Sequence, residues 1–227
     1  MSVSLKLFVH PASITSRPVR LFIAEKQLPV EEQLVDIITG EHYKDEYTAI
    51  NPNRQVPALQ DGAFVLTESS AILKYLAARF EAIEYPRELE ERAKVDEAMD
   101  WFQTQLYRDF CYLLVYPQVL PHHRRATPEQ QEGTLAWARE RSIFWFDVLE
   151  RHILGGKSFV ANNRPSIADY LGGSIVAAGE LIHCELEPWP NVRRWLARIK
   201  SLKTWPRISD AICSYAAQLQ GTTFVSL

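Results

Sequence analysis

The sequence predicts an α/β unit built on a small open sheet, followed by an all-α unit. Three observations carry this. Strand-like apolar runs alternate with helical patterns only within about the first 82 residues. A turn dipeptide, Asp61-Gly62, splits two short apolar runs, the mark of a hairpin. Beyond residue 89 only helical periodicities remain.

Each element follows from local chemistry. Leu5-Lys6-Leu7-Phe8-Val9 reads as a buried strand that His10-Pro11 ends. From Arg17 to Gln27, Val19, Leu21, Phe22, Ile23 and Ala24 fit a helix packed on one side, closed by Leu28-Pro29. Val30 to Val35 reads as a second strand, and a strand that follows a helix is expected to run parallel to the first. Gly40-Glu41-His42 opens a short helix to about Ile50, and Asn51-Pro52-Asn53 is a turn. Val56–Gln60 and Phe64–Leu66 form the hairpin. Thr67 or Glu68 then starts a helix through Ala71, Ile72, Tyr75, Leu76 and Phe80. The order is β-α-β-α-β-β-α over residues 1–82.

Residues 83–89, with Pro86 and no period, read as a linker. Within 90–227, helical patterns run at about 90–115, 128–153, 166–183, 190–202 and 204–218, punctuated by prolines. Ser166-Ile167-Ala168-Asp169 has capping-box spacing, with Asp in place of the usual Glu or Gln.

Composition bounds the function. Hydrophobic residues make up 47% and charged residues 23%, an ordinary globular balance. Residues 1–82 hold 8 Lys/Arg against 10 Asp/Glu, and the remainder holds 17 against 18. Neither part has the basic excess that a nucleic acid or an anionic membrane selects. Cys111, Cys184 and Cys213 are odd in number and widely spaced, so neither a disulfide framework nor a zinc site is expected. A reducing, cytoplasmic setting follows as the expectation. No signal-peptide pattern is read at Ser2-Val3-Ser4-Leu5-Lys6, and no apolar run approaches ~18 residues.

Pro57 stands where the first hairpin strand should begin. It fits a sheet edge or turn. It also fits a cis Val56-Pro57 bond, which would turn the Val56 N–H and C=O outward to pair with an extended peptide ligand. Eleven residues on, Glu68-Ser69 opens a helix. The first turn of a helix offers free N–H groups and a partial positive charge to a carboxylate. Ser69 adds a hydroxyl, and Glu68 an acceptor for an ammonium group. The plainer reading is that both residues cap the helix.

In combination, Val9-His10-Pro11-Ala12-Ser13, Gly40-Glu41-His42, Asn51-Pro52, Gln55-Val56-Pro57, Asp61-Gly62 and Thr67-Glu68-Ser69-Ser70-Ala71-Ile72 resemble the phi class of soluble glutathione transferases. Arg92-Ala93-Lys94-Val95-Asp96-Glu97 and Pro165-Ser166-Ile167-Ala168-Asp169 are more similar to the theta class. The resemblance covers essentially the whole chain. It implies a thioredoxin-like, glutathione-binding domain over residues 1–82 and an all-α domain over 90–227 that forms the electrophile site. It also implies glutathione as co-substrate, no metal, and a homodimer. By the same resemblance Pro57 is cis, Val56 pairs with the cysteinyl unit, Gln55 adds a side-chain contact, and Glu68 and Ser69 hold the γ-glutamyl head. His42 and Lys44 meet the glycyl carboxylate, although Tyr43 stands where the phi pattern commonly has Lys. Asp96 or Asp100 reaches the glutathione amine, from a partner subunit in related transferases.

Glutathione attacks as its thiolate, and a free thiol of pKa about 8.5 is only a few per cent ionised at pH 7. A serine hydroxyl at the start of the first helix can stabilise the anion. Ser13 matches the phi pattern, whereas Ser16-Arg17-Pro18 is similar to a theta arrangement. The loop has the phi length, which favours Ser13. Both serines also fit simple helix caps. For the second substrate, an α-helical period places Met99, Phe102, Leu106, Phe110 and Leu113 on a core stripe. Asp100, Tyr107, Cys111 and Leu114 fall on another; Tyr107, Cys111 and Leu114 are expected either to wall an apolar cleft, with Tyr116 as a further member, or to be further core or a subunit contact. His122-His123-Arg124-Arg125 reads as a solvated loop without metal spacing. The expected function is conjugation of the glutathione thiolate to apolar electrophiles. The alternatives are a glutathione-dependent dehalogenase or peroxidase, or a non-catalytic binder of glutathione and hydrophobic ligands.

Overall fold

The computed structural model of the chain describes residues 5–227. Strands β1 (Leu5–Val9), β2 (Val30–Leu34), β3 (Ala58–Asp61) and β4 (Phe64–Thr67) form one sheet in the order β2-β1-β3-β4. β1 and β2 are parallel, and the other two pairs are antiparallel. The expected topology is therefore the observed one. Because strand side chains alternate between faces, Leu5, Leu7 and Val9 enter one apolar core while Phe8 points to the other side. Helices α1 (Ser16–Lys26) and α3 (Ser69–Arg79) pack on the first face. Phe8, Val35, Tyr47, Val56 and Ala58 form a smaller cluster on the second. The helix expected over 40–50 is broken. A 3₁₀ turn, Glu41–Tyr43, precedes the single-turn α2 (Asp45–Thr48), and Lys44 between them is extended.

The second part is helical throughout. Helix α4 (Leu89–Trp101) runs without interruption into a π-helical stretch, Phe102–Val115, and then into α5 (Tyr116–Val119). Helix α6 (Pro128–Val148) continues as a π-helical turn over Leu149–Leu154, α7 (Ile167–Val176) continues as a 3₁₀ stretch over Ala177–Ile182, and α8 (Pro190–Lys200) and α9 (Trp205–Gln218) follow. Caps explain several starts. Glu88 accepts the Glu90 and Glu91 N–H groups, and Thr127 accepts that of Gln130. The capping box read at Ser166 and Asp169 forms. Asp169 is fully buried and takes four donors: Ser166 N and Oγ, Val160 N and Trp195 Nε1. A Cβ on Gly172 would lie 2.2 Å from the Phe102 ring, so only glycine lets α7 meet the π-helical stretch this closely.

The segment between α3 and α4 is bolted down. Glu84 is buried and ion-paired with Lys26, and its carbonyl accepts the Ile167 N–H. One continuous apolar core runs from the sheet through the helical part. Arg17, in α1, is 1% exposed, donates to the Ser174 carbonyl of α7 and lies 5.1 Å over the Trp205 ring of α9.

Candidate active site

Three chain segments converge at the C-terminal edge of β1. The first is the loop ahead of β3. The Val56-Pro57 bond is cis. The Gln55 carbonyl is held twice, by Tyr47 Oη at 2.6 Å and by Asn51 Nδ2 at 2.7 Å. The Val56 carbonyl accepts a 2.8 Å bond from the Thr15 hydroxyl. The Gln55 side chain faces solvent. Burial pushes the Tyr47 phenol up to about 12, so it remains a donor at neutral pH.

The second segment is the loop from β1 to α1. It turns through Ser13 N–H to the His10 carbonyl, and Ala12 N–H donates to His10 Nδ1. His10 therefore carries its neutral-state proton on Nε2. Ser13 Oγ accepts the Ser16 N–H at 3.1 Å and lies 3.0 Å from Thr15 Oγ1. The two candidate serines differ sharply. Ser13 keeps some exposure at this edge, whereas Ser16 is fully buried and its hydroxyl has no partner among the described residues.

The third segment is the start of α3. Glu68 is exposed and has φ 67° and ψ 118°, a backbone conformation seldom taken by a residue with a side chain. Its side chain makes no cap bond to α3, so the plain capping reading does not account for Glu68. The first-turn N–H groups of α3 lack intrahelical acceptors, and buried Ser69 sits among them.

Around these lie the remaining candidates. His42 is half-buried, its ring 4.0 Å from that of Tyr43. Burial, with His122 adding to it, holds its pKa below the usual value. Lys44 is exposed, and Arg54 lies 6.0 Å over the Tyr43 ring, a cation that sequence reading passed over. Asp96 is occupied by Lys74 at 2.9 Å and Tyr85 Oη at 3.1 Å, while Asp100 faces solvent.

The four residues expected to wall the electrophile cleft divide. Tyr107 and Tyr116 hydrogen-bond to each other through their hydroxyls at 3.0 Å. Tyr107 also lines an open groove of about 420 Å³ with Gln103, Thr104, Arg108 and Tyr112. Cys111 and Leu114 have no exposed surface and pack in the core, with Cys111 Sγ directed at the Ile175 carbonyl. Burial raises the Cys111 thiol far above its ordinary value, so it is not a nucleophile. Helical period accounts for the places of Tyr116 and Leu114. The Tyr116 N–H reaches back five residues to Cys111 O. A π turn holds roughly 4.4 residues, against about 3.6 in an α-helix. Nine residues then make roughly two full turns and align Tyr107 with Tyr116. Seven residues leave Leu114 on the opposite side. Leu113, placed on the core stripe by the α period, is only half-buried.

Two further aromatic residues were missed. Tyr112 and His123 meet edge-on at 5.6 Å, and His123 lies 5.1 Å from Tyr116. The His122–Arg125 segment is thus not simply a solvated loop, because His123 packs on the tyrosines. The described residues contain no group of three or more His, Cys, Asp or Glu able to hold a metal, and no helix long and apolar enough to cross a membrane.

Residues 3–78 match the glutathione S-transferase N-terminal domain. Human glutathione S-transferase theta-1 is 33% identical over 209 residues, covering 88% of this chain and 83% of its own. Mouse theta-3 is 32% identical at the same coverage. The crystal structure of human glutathione transferase theta-2, in complex with glutathione and an unknown ligand, superposes with a TM-score of 0.83 at 28% identity, covering 99% of this chain and 94% of that one. These relatives carry theta-class names, while the β1–α1 loop was read above as similar to the phi class. With the α/β unit, its four-stranded mixed sheet and the helical part all matched, the chain belongs to the glutathione S-transferase family.

Proposed function

We propose that this protein conjugates the thiolate of glutathione to apolar electrophiles, with Ser13 as the hydroxyl that stabilises the thiolate. The observation that carries this reading is the convergence of Ser13, Val56 and the open start of α3 on one edge, with Ser13 joined to Val56 through Thr15. Val56 offers its backbone edge to the cysteinyl unit. Glu68 and Ser69 hold the γ-glutamyl head, with the strained Glu68 backbone as the mark of a site shaped for a ligand. Gln55 flanks the same ligand, and His42 and Lys44, with Arg54, face its glycyl carboxylate. Holding the tripeptide at several points fixes its sulfur for attack, which is positional catalysis. The groove beside Tyr107, with Tyr116 behind it, receives the electrophile.

The division into residues 1–82, 83–89 and 90–227 belongs to this reading, as does a homodimer in which Asp100 reaches a partner's ligand. Apolar Phe64 and Val65 on edge strand β4 and Leu89 at the start of α4 face solvent and support such an association. Three unpaired cysteines support a reducing, cytoplasmic setting. The test is the conjugation rate with an aromatic chloride at pH 7. Ser13→Ala is expected to lower kcat/KM about a hundredfold, the loss of roughly 2.7 kcal/mol of anion stabilisation. Ser16→Ala is expected to stay within about twofold of native. The reverse pattern would overturn the choice of serine.

A further inference from the structure

The β1–α1 loop carries a hydrogen-bond chain whose direction is fixed by counting protons. The Thr15 hydroxyl has one proton, and the Val56 carbonyl, 2.8 Å away, can only accept it. In the 3.0 Å contact between Thr15 Oγ1 and Ser13 Oγ, the threonine oxygen must therefore accept and the serine must donate. Ser13 Oγ in turn accepts the Ser16 N–H at 3.1 Å, from the first residue of α1. The chain thus runs from the helix N-terminus through Ser13 and Thr15 to Val56, and the Ser13 proton is committed to Thr15.

We propose that Thr15 is a positioning residue for conjugation: its hydroxyl parks the Ser13 proton, ties Ser13 to the Val56 edge, and yields that proton's hydrogen bond to sulfur when a bound thiol ionises. This rests on the assignment of Ser13 above. When the thiol ionises, its S–H proton leaves to solvent. Ser13 keeps its own proton, and only the acceptor of its hydrogen bond changes, from the Thr15 oxygen to the sulfur anion. Thr15 continues to donate to Val56. Two consequences follow. Thr15 competes with sulfur, so it holds the bound thiol less acidic than a free serine would. It also steadies the backbone edge on which the cysteinyl unit lies, so it favours binding.

These opposed effects give a test that a merely structural role does not reproduce. The thiol pKa of bound glutathione is read by ultraviolet titration, and its Kd by calorimetry, in native protein, Thr15→Val, Thr15→Ala, Thr15→Ser, Ser13→Ala and the Ser13→Ala/Thr15→Val double variant. Removing one competing hydrogen bond is expected to lower the thiol pKa by about half a unit to one unit in Thr15→Val. The same variant is expected to weaken glutathione about three- to tenfold. Thr15→Ala, a second way to remove the hydroxyl, shifts the pKa in the same direction, and Thr15→Ser restores both quantities. On the Ser13→Ala background, Thr15→Val leaves the pKa where Ser13→Ala put it. A raised or unchanged pKa in Thr15→Val and Thr15→Ala, while Ser13→Ala removes the native shift, overturns the role of Thr15. A native pKa in Ser13→Ala overturns the Ser13 assignment instead.

Discussion

Glu68 concentrates the cost of the site in one residue. A side-chain-bearing residue at φ 67° and ψ 118° stores about 1–3 kcal/mol, and neither a cap bond nor burial repays it. Glu68→Gly should therefore stabilise the protein by about 1 kcal/mol in denaturant unfolding while weakening glutathione binding at least tenfold; a loss in both measurements would contradict the account. Ser16 makes a complementary case. Its hydroxyl is fully buried without a partner among the described residues, so Ser16→Ala should raise the denaturant midpoint by the equivalent of about 1 kcal/mol. A destabilised variant would show that the hydroxyl is bonded after all. At this scale the sequence was legible wherever the chemistry was local. The Asp61-Gly62 turn, the proline at the hairpin start and the Glu-Ser helix start each depend on near neighbours. Thr15 was not legible, because its bond to Val56 spans 41 positions. Tyr47 and Asn51 were read only as helix and turn residues, and their bonds to the Gln55 carbonyl needed the folded loop to be seen.

Elements were legible to the extent that their period was ordinary. The strands and most helices fell where apolar periodicity placed them. The long helix after residue 89 did not behave as an α-helix throughout, and nothing in its composition announces the wider turn. That single change of period moved Leu114 into the core and brought Tyr116 beside Tyr107. Tyr116→Phe is accordingly predicted to raise the KM for an apolar electrophile several-fold while leaving glutathione affinity within about twofold. Equal loss of both would place Tyr116 in the shared framework instead of the second site. The capping box gives a stability prediction at the same scale. Asp169→Asn turns an amide NH₂ toward groups that donate to Asp169. It should cost about 2–4 kcal/mol by denaturant unfolding, and a neutral result would remove Asp169 as the anchor of α7.

The molecule as a whole is built to hold several histidines neutral. Of its six histidines, His10, His42 and His123 are held below the usual value, each chiefly by burial. For His10, Asp36 opposes the shift while Arg20 and His42 add to it. The unfolded chain therefore binds protons more readily than the fold, and stability present above about pH 6.5 is lost as pH falls through the lowered values. His10→Asn keeps an acceptor for the Ala12 N–H but cannot titrate, so it should flatten the decline in stability between pH 7 and 5. An unchanged slope would exclude His10 as a contributor.

The edge joining Ser13, Val56 and the start of α3 is expected to bind glutathione and ionise its sulfur. The measurement that tests it most directly is the ultraviolet titration of the glutathione thiol bound to the native protein. A pKa about two units below the free thiol value of ~8.5 is predicted, and a bound thiol that titrates like free glutathione would contradict it.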